Sequence, residues 1–230
     1  MIKLEEFMIN FANIKLRIEQ ACQSVGRDPK TVGLLPVTKT HAGWAVEYAL
    51  KVGLSSVGEN RVQEVKEKQP TIAGDCAWEL IGHLQSNKVN EAVRLFDRIQ
   101  SVDSLKLIRK LNQSCENLNK RMPIFLQCNA GEDPNKYGFD VSEMSEALEA
   151  VLAAPQLDCQ GLMTIAPLNS VPSSARACFE KLRTIRDTLT ERYECPLDEL
   201  SMGMTQDLEA AIAAGSTMIR VGTALFGHRA

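Results

Sequence analysis

Hydrophobic residues recur with a helical period at the start of the chain. They are spaced by three or four positions, and they are Leu4, Phe7, Met8, Phe11, Ile14 and Ile18. This spacing places them on one face of a helix. Gly26 and the Asp28-Pro29 pair interrupt the pattern. The sequence therefore predicts an amphipathic N-terminal helix that ends near Gly26.

From residue 32 onward, short apolar or β-branched runs alternate with stretches that can form helices. The predicted strands are Val32–Val37, Ser55–Gly58, Ala77–Ile81, Arg98–Val102, Ile124–Cys128, Asp158–Ile165, Leu200–Met202 and Met218–Val221. The clearest predicted helices are Ala42–Val52, Ser104–Leu118, Val141–Leu152, Ser174–Tyr193 and Gln206–Ala214. Polar residues at helix starts predict four N-caps, which are Asn60, Asp103, Ser142 and Thr205. The alternation predicts βα units and a parallel sheet.

Eight strand and helix units favour a closed barrel over an open sheet. An open doubly wound sheet normally carries a glycine-rich phosphate loop after its first strand. Here the first predicted strand ends in Val37-Thr38-Lys39-Thr40, without that pattern. We therefore predict a single (β/α)₈ TIM barrel domain over residues 1–230, with an extra N-terminal helix.

Composition and charge exclude several classes of protein. The 230 residues carry 26 Lys and Arg against 29 Asp and Glu, so no basic excess exists for nucleic-acid binding. No apolar run is long enough for a membrane helix, and the N-terminus does not resemble a signal peptide, so we expect a cytoplasmic protein. The seven cysteines include no Cys-x-x-Cys pair, which argues against a disulfide framework or a bound metal.

Lys39 is the first candidate for chemistry, because functional residues of such barrels lie at the carboxyl ends of strands. It follows a run with no other charge. Partial desolvation in a barrel mouth lowers the pKa of a lysine and frees a nucleophilic amine. The functional interpretation is a Schiff-base lysine, and the alternative is a lysine that simply reaches water.

The last two predicted strands end at a candidate phosphate site. Barrels of this type often hold a phosphate in the loops after strands seven and eight. Ser201 and Gly203 follow strand seven, and Gly222 and Thr223 follow strand eight. Glycines allow an anion to approach backbone N–H groups, although both segments could instead be tight turns.

Arg220 lies in an apolar run and is therefore predicted to be buried. A buried arginine needs a partner, so it is either functional or part of an ion pair that closes the barrel. A carbonyl-binding lysine, a phosphate site and a buried arginine together indicate a site for pyridoxal 5'-phosphate, PLP.

Three other features of the sequence are weaker candidates. The Glu59-Asn60 pair could reach the ring oxygen of the cofactor, cap the next helix, or do both, and capping is the simpler interpretation. His83 either lines the mouth or is structural. Lys136 lies in a predicted exposed loop after strand five, where a mobile surface lysine is the simpler interpretation.

Longer motifs resemble a known family. They are Leu35-Pro-Val-Thr-Lys39-Thr, Gly58-Glu-Asn-Arg-Val-Gln-Glu64, Ile81-Gly-His-Leu-Gln-Ser-Asn-Lys88, Asn135-Lys-Tyr-Gly-Phe139, Gly161-Leu-Met-Thr164, Leu200-Ser-Met-Gly-Met-Thr-Gln-Asp-Leu-Glu-Ala-Ala-Ile212 and Gly215-Ser-Thr-Met-Ile-Arg-Val-Gly-Thr-Ala-Leu-Phe-Gly227. In this order they resemble the pyridoxal phosphate homeostasis proteins, a PLP-binding family grouped with the N-terminal barrel of alanine racemase.

The resemblance implies a site and a role. It implies a (β/α)₈ barrel with PLP bound as a Schiff base on Lys39, phosphate contacts from Ser201, Gly222 and Thr223, and Arg220 at the pyridine nitrogen. It also implies a protein that holds or hands over PLP, without an assigned reaction, and apo-PLP-dependent enzymes as possible acceptors. Lys136 resembles a loop lysine considered relevant to PLP release.

Two enzyme hypotheses remain as alternatives. An amino-acid racemase needs an acid or base on each face of the substrate carbon. Tyr137 is the only tyrosine expected near the mouth, and the chain ends soon after strand eight, so we expect no second domain to supply an opposing tyrosine. A Schiff-base aldolase for a phosphorylated sugar would be colourless, whereas a protein that binds PLP would be yellow.

Overall fold

The predicted parallel sheet is present. The computed structural model describes residues 1–167 and 172–227. The strands in these ranges are β1 (Gly33–Pro36), β2 (Ser56–Glu59), β3 (Ala77–Leu80), β4 (Arg98–Val102), β5 (Met122–Gln127), β6 (Leu157–Met163), β7 (Glu199–Ser201) and β8 (Met218–Val221). Each overlaps one predicted run, so the apolar pattern located every strand to within about two residues.

The strands form a barrel. Each strand pairs in parallel with its neighbour in sequence from β2 to β8, and β8 pairs with β1. A single bridge between Val37 and Gly58 joins β1 to β2 and closes the ring. The carboxyl ends of all eight strands therefore meet at one end of the barrel. The (β/α)₈ architecture predicted from the sequence is confirmed.

Helices surround the barrel. They are α1 (Leu4–Ser24), α2 (Trp44–Lys51), α3 (Val62–Lys68), α4 (Val89–Leu95), α5 (Leu105–Asn117), α6 (Met144–Leu152), α7 (Pro172–Tyr193), α8 (Leu208–Ala213) and α9 (Thr223–Phe226). Among the helices described, none is long and apolar enough to cross a membrane.

The helix starts differ from the predicted N-caps. Arg61, not Asn60, precedes α3, and Ser104, not Asp103, caps α5 by accepting a hydrogen bond from Leu107 N–H. Asp140 precedes the 3₁₀ turn Val141–Glu143 that leads into α6, and Asp207 precedes α8, in place of the predicted Ser142 and Thr205. All four predicted N-caps are wrong by one or two residues, and at α5 the reason is that the adjacent Asp103 and Ser104 offer the same local chemistry.

The N-terminal helix packs on the outside of the barrel, against α8 and α9. Its buried face contains Phe7, Ile14 and Ile18, as the periodicity predicts. Met8, which the sequence placed on that face, is 53% exposed. Asn10 Nδ2 donates to Leu225 O at 3.1 Å, which fixes α1 to α9.

Two apolar cores flank the strands. The larger core lies between the barrel and the helices. A smaller one inside the barrel consists of Leu35, Phe125, Met163 and Met218. All seven cysteines are free thiols, and four of them are buried, which agrees with their predicted absence from a disulfide framework.

Candidate functional site

Lys39 lies directly after β1, at the carboxyl end of the barrel. Val37 N–H donates to Val221 O at 2.8 Å, and Thr38 N–H donates to Gly58 O at 3.0 Å. The chain therefore leaves β1 between β8 and β2. Lys39 is half-buried at this point, so the residue lies at the mouth of the barrel, and its predicted role as a Schiff-base lysine stays a prediction.

A buried ion cluster lies beside the β1 end. We call Thr38, Glu59, Glu64 and Lys68 the Lys68 cluster. Lys68 Nζ lies 2.6 Å from Glu59 Oε1 and 3.3 Å from Glu64 Oε2, and it donates to Thr38 O at 2.9 Å. The Lys68 side chain is 8% exposed and that of Glu59 is fully buried.

This cluster holds the backbone on both sides of Lys39. On one side, Thr38 Oγ1 donates to Glu59 Oε1 at 2.6 Å. On the other, Thr40 N–H donates to Glu64 Oε2 at 2.5 Å. Thr40 has a φ of 64°, a left-handed conformation that costs free energy in a residue with a β-branched side chain. The cluster therefore fixes the direction in which Lys39 leaves the strand.

The two carboxyl groups of the cluster have opposite pKa shifts. Burial raises the pKa of Glu59, and the attraction of Lys68 only partly offsets it. Burial also acts to raise the pKa of Glu64, but the hydrogen bond from Thr40 N–H and the charge of Lys68 outweigh it, so this pKa is lowered. Glu59 Oε2 is buried and has no hydrogen-bond partner among the described residues.

Arg220 is buried on β8 with neutral partners. Its Nη1 donates to Ser201 O at 2.7 Å and to Ser201 Oγ at 2.6 Å, and its Nη2 donates to Thr164 O at 2.8 Å. Within residues 1–167 and 172–227, no carboxylate forms an ion pair with it, so the alternative of a barrel-closing ion pair is wrong. Burial lowers the pKa of Arg220 to about 10 against the weaker effect of Asp207, which leaves a cation at neutral pH.

Ser201 and Gly203 are both buried at the end of β7. Ser201 Oγ lies inside the barrel, 2.6 Å from Gln100 Oε1 as well as from Arg220 Nη1. Gly203 has a φ of 94°, and a Cβ atom there would collide with Ala211 Cβ. Glycine at this position is thus required by conformation and by packing. The predicted phosphate contacts of both residues stay predictions.

Gly222 and Thr223 follow β8, which is the neighbour of β1 in the sheet, so they lie at the same end of the barrel as Lys39. β1 and β8 pair so that Pro36 lies opposite Val221, and the next residues on each strand reach the same edge of the mouth. Thr223 is exposed and begins α9. The first N–H groups of a helix have no partner within it and favour anions. This corner and Lys39 thus share one edge of the mouth, and the predicted phosphate contacts of Gly222 and Thr223 stay predictions.

Asn60 lies on the rim after β2. A Cβ atom at Gly82 would collide with the Asn60 backbone, so glycine at that position permits the close approach of the two loops. Within the described part of the chain, the Asn60 side chain has no hydrogen-bond partner. It does not cap α3, which leaves its predicted cofactor contact as a prediction.

His83 and Tyr137 form a second part of the rim. His83 Nδ1 lies 2.6 Å from Asp103 Oδ2, and the Tyr137 ring stacks on the His83 ring with centroids 3.9 Å apart. The position of Tyr137 near the mouth is confirmed.

Lys136 is held against the neighbouring loop. Its Nζ donates to the backbone carbonyls of Ile165 and Ala166, and burial lowers its pKa. The simpler expectation of a mobile surface lysine is wrong.

Sequence reasoning missed Gln100, which contacts Ser201 inside the barrel. A signal was present, because Arg98 and Gln100 alternate with Ile99 and Ser101 on β4 and must share one face. No sequence motif includes Arg98 or Gln100. Their hydrogen-bond partners, Glu79 and Ser201, lie on other strands, β3 and β7.

The described residues fit a phosphorylated aldehyde with an aromatic ring nitrogen. Lys39 offers an amine that can bind a carbonyl, and Gly222 and Thr223 offer backbone and hydroxyl donors for a phosphate. Arg220 is a buried cation with no carboxylate partner among the described residues, which favours an electron-rich ligand atom.

Comparison with known proteins identifies relatives over nearly the whole chain. The family described as "Alanine racemase, N-terminal domain" matches residues 9–230. A pyridoxal phosphate homeostasis protein of Pseudomonas aeruginosa is 39% identical over 221 residues, covering 96% of this chain and 94% of the relative.

Solved structures give the same picture. PipY of Synechococcus elongatus with PLP bound is 37% identical, covers 91% of this chain and 100% of its own, and superposes with a TM-score of 0.81. An alanine racemase of Clostridium difficile also has a TM-score of 0.81, but at 13% identity and with 57% of its own length covered. The racemase likeness shows the fold alone.

Proposed function

Because the chain belongs to the family of pyridoxal phosphate homeostasis proteins, we propose that it binds PLP covalently on Lys39, without turning over amino acids. In this role it buffers PLP in the cytoplasm and hands it to apo-enzymes that depend on PLP. Arg220 carries the proposal, because it is a buried guanidinium at the mouth whose direct partners are a hydroxyl and two backbone carbonyls.

Each part of PLP has a matching group at the mouth. The aldehyde would bind Lys39, and the phosphate would lie at Gly222 and Thr223 beside it, with Ser201 and Gly203 as further predicted contacts. The ring nitrogen would face Arg220, and Asn60 would face the ring. PLP when bound supplies an aldehyde for the lysine and an electron-withdrawing ring.

Arg220 also supports a holding role over catalysis. A guanidinium stays protonated and therefore keeps a facing pyridine nitrogen unprotonated. An unprotonated ring is a weaker electron sink for amino-acid chemistry. The alternative hypothesis, a Schiff-base aldolase for a phosphorylated sugar, does not explain the family relationship. It requires the purified protein to be colourless and free of PLP.

The test of this function combines turnover with transfer. PLP-loaded protein, freed of unbound PLP, is assayed for racemase, transaminase and lyase activity on alanine and serine of both configurations. In parallel it is mixed with an apo-PLP-dependent enzyme. We expect only trace turnover, and recovery of the acceptor's activity. A turnover number of about 1 s⁻¹ on any amino acid would instead support the racemase alternative, in which His83 beside Asp103 could carry a proton.

A second prediction concerns the phosphate. Loss of a hydrogen bond to a charged group costs about 1.5–3 kcal/mol, so Thr223→Val is expected to weaken PLP binding roughly ten- to a hundredfold. Pyridoxal, which lacks the phosphate, should lose much less affinity. Titration of both ligands checks this, with Thr188→Val on the exposed side of α7 as the control variant. Equal losses for PLP and pyridoxal would show that Thr223 does not contact the phosphate.

A further inference from the structure

A continuous chain of hydrogen bonds runs through the inside of the barrel. Arg98 Nε and Nη2 donate to the two oxygens of Glu79 at 2.8 and 3.0 Å. Gln100 Nε2 lies 2.6 Å from Glu79 Oε2, and Gln100 Oε1 lies 2.6 Å from Ser201 Oγ. Arg220 Nη1 completes the chain at Ser201 Oγ, also at 2.6 Å. We call Arg98, Glu79, Gln100, Ser201 and Arg220 the barrel relay.

Apart from Arg98, whose side chain is 16% exposed, the members of the relay are shielded from water. Gln100 and Ser201 are fully buried, and Glu79 and Arg220 are 4% and 3% exposed. Buried polar groups depend on their hydrogen bonds because no water replaces a lost partner. A substitution at one position of the relay is therefore expected to change the hydrogen bonding of the next residue.

The charge of Glu79 sets the direction of every hydrogen bond above it. A carboxylate paired with an arginine only accepts hydrogen bonds, so Gln100 must turn its NH₂ group toward Glu79. The Gln100 carbonyl then faces Ser201, and the Ser201 hydroxyl must donate its proton to that carbonyl. A lone pair of Ser201 Oγ is left to accept the hydrogen bond from Arg220.

Ser201 Oγ is the one side-chain acceptor of Arg220 among the described residues. The other two acceptors are the backbone oxygens of Ser201 and Thr164, which the sheet fixes. Apart from Arg220 itself, the hydrogen-bond partner of Ser201 Oγ among the described residues is the Gln100 carbonyl, which accepts its proton. The relay thus reaches the mouth of the barrel through a single hydroxyl group.

We infer that Gln100 and Ser201 are positioning residues that fix the Arg220 guanidinium for the ring nitrogen of PLP. The inference rests on the proposed binding of PLP with its ring nitrogen at Arg220. It implies that the Ser201 hydroxyl acts on the ring end of the ligand and not as the phosphate contact predicted for Ser201, since the hydroxyl proton is already donated to Gln100. The family motifs do not include Gln100.

Three ligands separate ring recognition from phosphate recognition. They are PLP, pyridoxal without the phosphate, and a PLP analogue with carbon in place of the ring nitrogen. For Gln100→Leu and Ser201→Ala we expect about a tenfold loss of affinity for PLP and for pyridoxal, because one hydrogen bond of Arg220 is lost or misdirected. The analogue has no ring nitrogen for Arg220, and its affinity should stay within about twofold.

The double variant should lose no more affinity for PLP than either single variant, because both act through one hydroxyl group. Ser201→Ala removes a single oxygen atom and serves as the folded variant if Gln100→Leu lowers the melting temperature strongly.

Wild-type affinity in both variants would overturn the inference, as would equal losses for all three ligands. Loss for PLP and the analogue but not for pyridoxal would assign Ser201 to the phosphate instead. Failure of the wild-type protein to bind PLP would refute the proposed function itself, and with it this assignment.

Discussion

Lys39→Ala is expected to abolish the visible absorption band of the PLP-loaded protein and the adduct that borohydride traps. Both signals require a covalent link between the aldehyde and an amine, and Lys39 is the lysine that follows β1 at the carboxyl end of the barrel. Noncovalent PLP should still bind weakly, because Arg220 and Thr223 are unchanged. Absorption spectra and reduced, dialysed samples of both proteins provide the measurement.

Lys88→Ala is the matched control for this substitution. Lys88 lies at the start of α4, is 43% exposed and pairs with Glu91 at 3.2 Å on the surface. Its removal should leave the band and the adduct at wild-type levels. If the band persisted in Lys39→Ala and disappeared in Lys136→Ala, PLP would be linked to Lys136, and the assignment to Lys39 would be wrong.

Lys68→Met should destabilise the protein far more than any surface substitution. Lys68 is the cation that joins Glu59, Glu64 and Thr38 beneath Lys39. Removal of one partner of a buried ion pair costs about 3–5 kcal/mol, and a chain of this size loses about 2–4 °C per kcal/mol. We therefore expect the melting temperature to fall by roughly 10 °C.

Lys66→Met, on the same helix, is the control for Lys68→Met. Lys66 is 60% exposed and forms a surface ion pair with Glu91 at 2.9 Å, and water screens such pairs strongly. Its melting temperature should remain close to that of the wild type. Similar melting temperatures for the two variants would show that the Lys68 cluster does not hold the mouth together.

The strands could be predicted because each one lies in a short run, apolar or containing β-branched residues, that breaks the helical period. This signal is local, and the parallel arrangement follows from the helices between the runs. Lys39 and Thr223 could then be placed at one end of the barrel, since strand ends meet there whatever the details of packing.

The start of α5 shows why the first residues of the helices were harder to predict than the strands. Asp103 and Ser104 are adjacent, and either side chain can cap a helix. In the structure Asp103 Oδ2 lies 2.6 Å from His83 Nδ1, and Ser104 takes the cap. A partner twenty residues away decided between two equivalent local choices, and no local pattern contains that information.

The barrel relay lay beyond prediction for a related reason. Its members come from four strands: Glu79 from β3, Arg98 and Gln100 from β4, Ser201 from β7 and Arg220 from β8. Alternation on β4 indicates that Arg98 and Gln100 share a face, but it does not identify Glu79 or Ser201 as partners. Those contacts depend on the register between strands, which the sequence alone does not define.

Peptide mapping of the reduced wild-type protein tests the central claim most directly. The PLP-loaded protein is treated with borohydride, digested, and analysed by mass spectrometry for the phosphopyridoxyl group. We predict one group per chain, on the peptide that contains Lys39. Modification of Lys136 or Lys88 in its place, or a protein that carries no group after loading, would contradict the account.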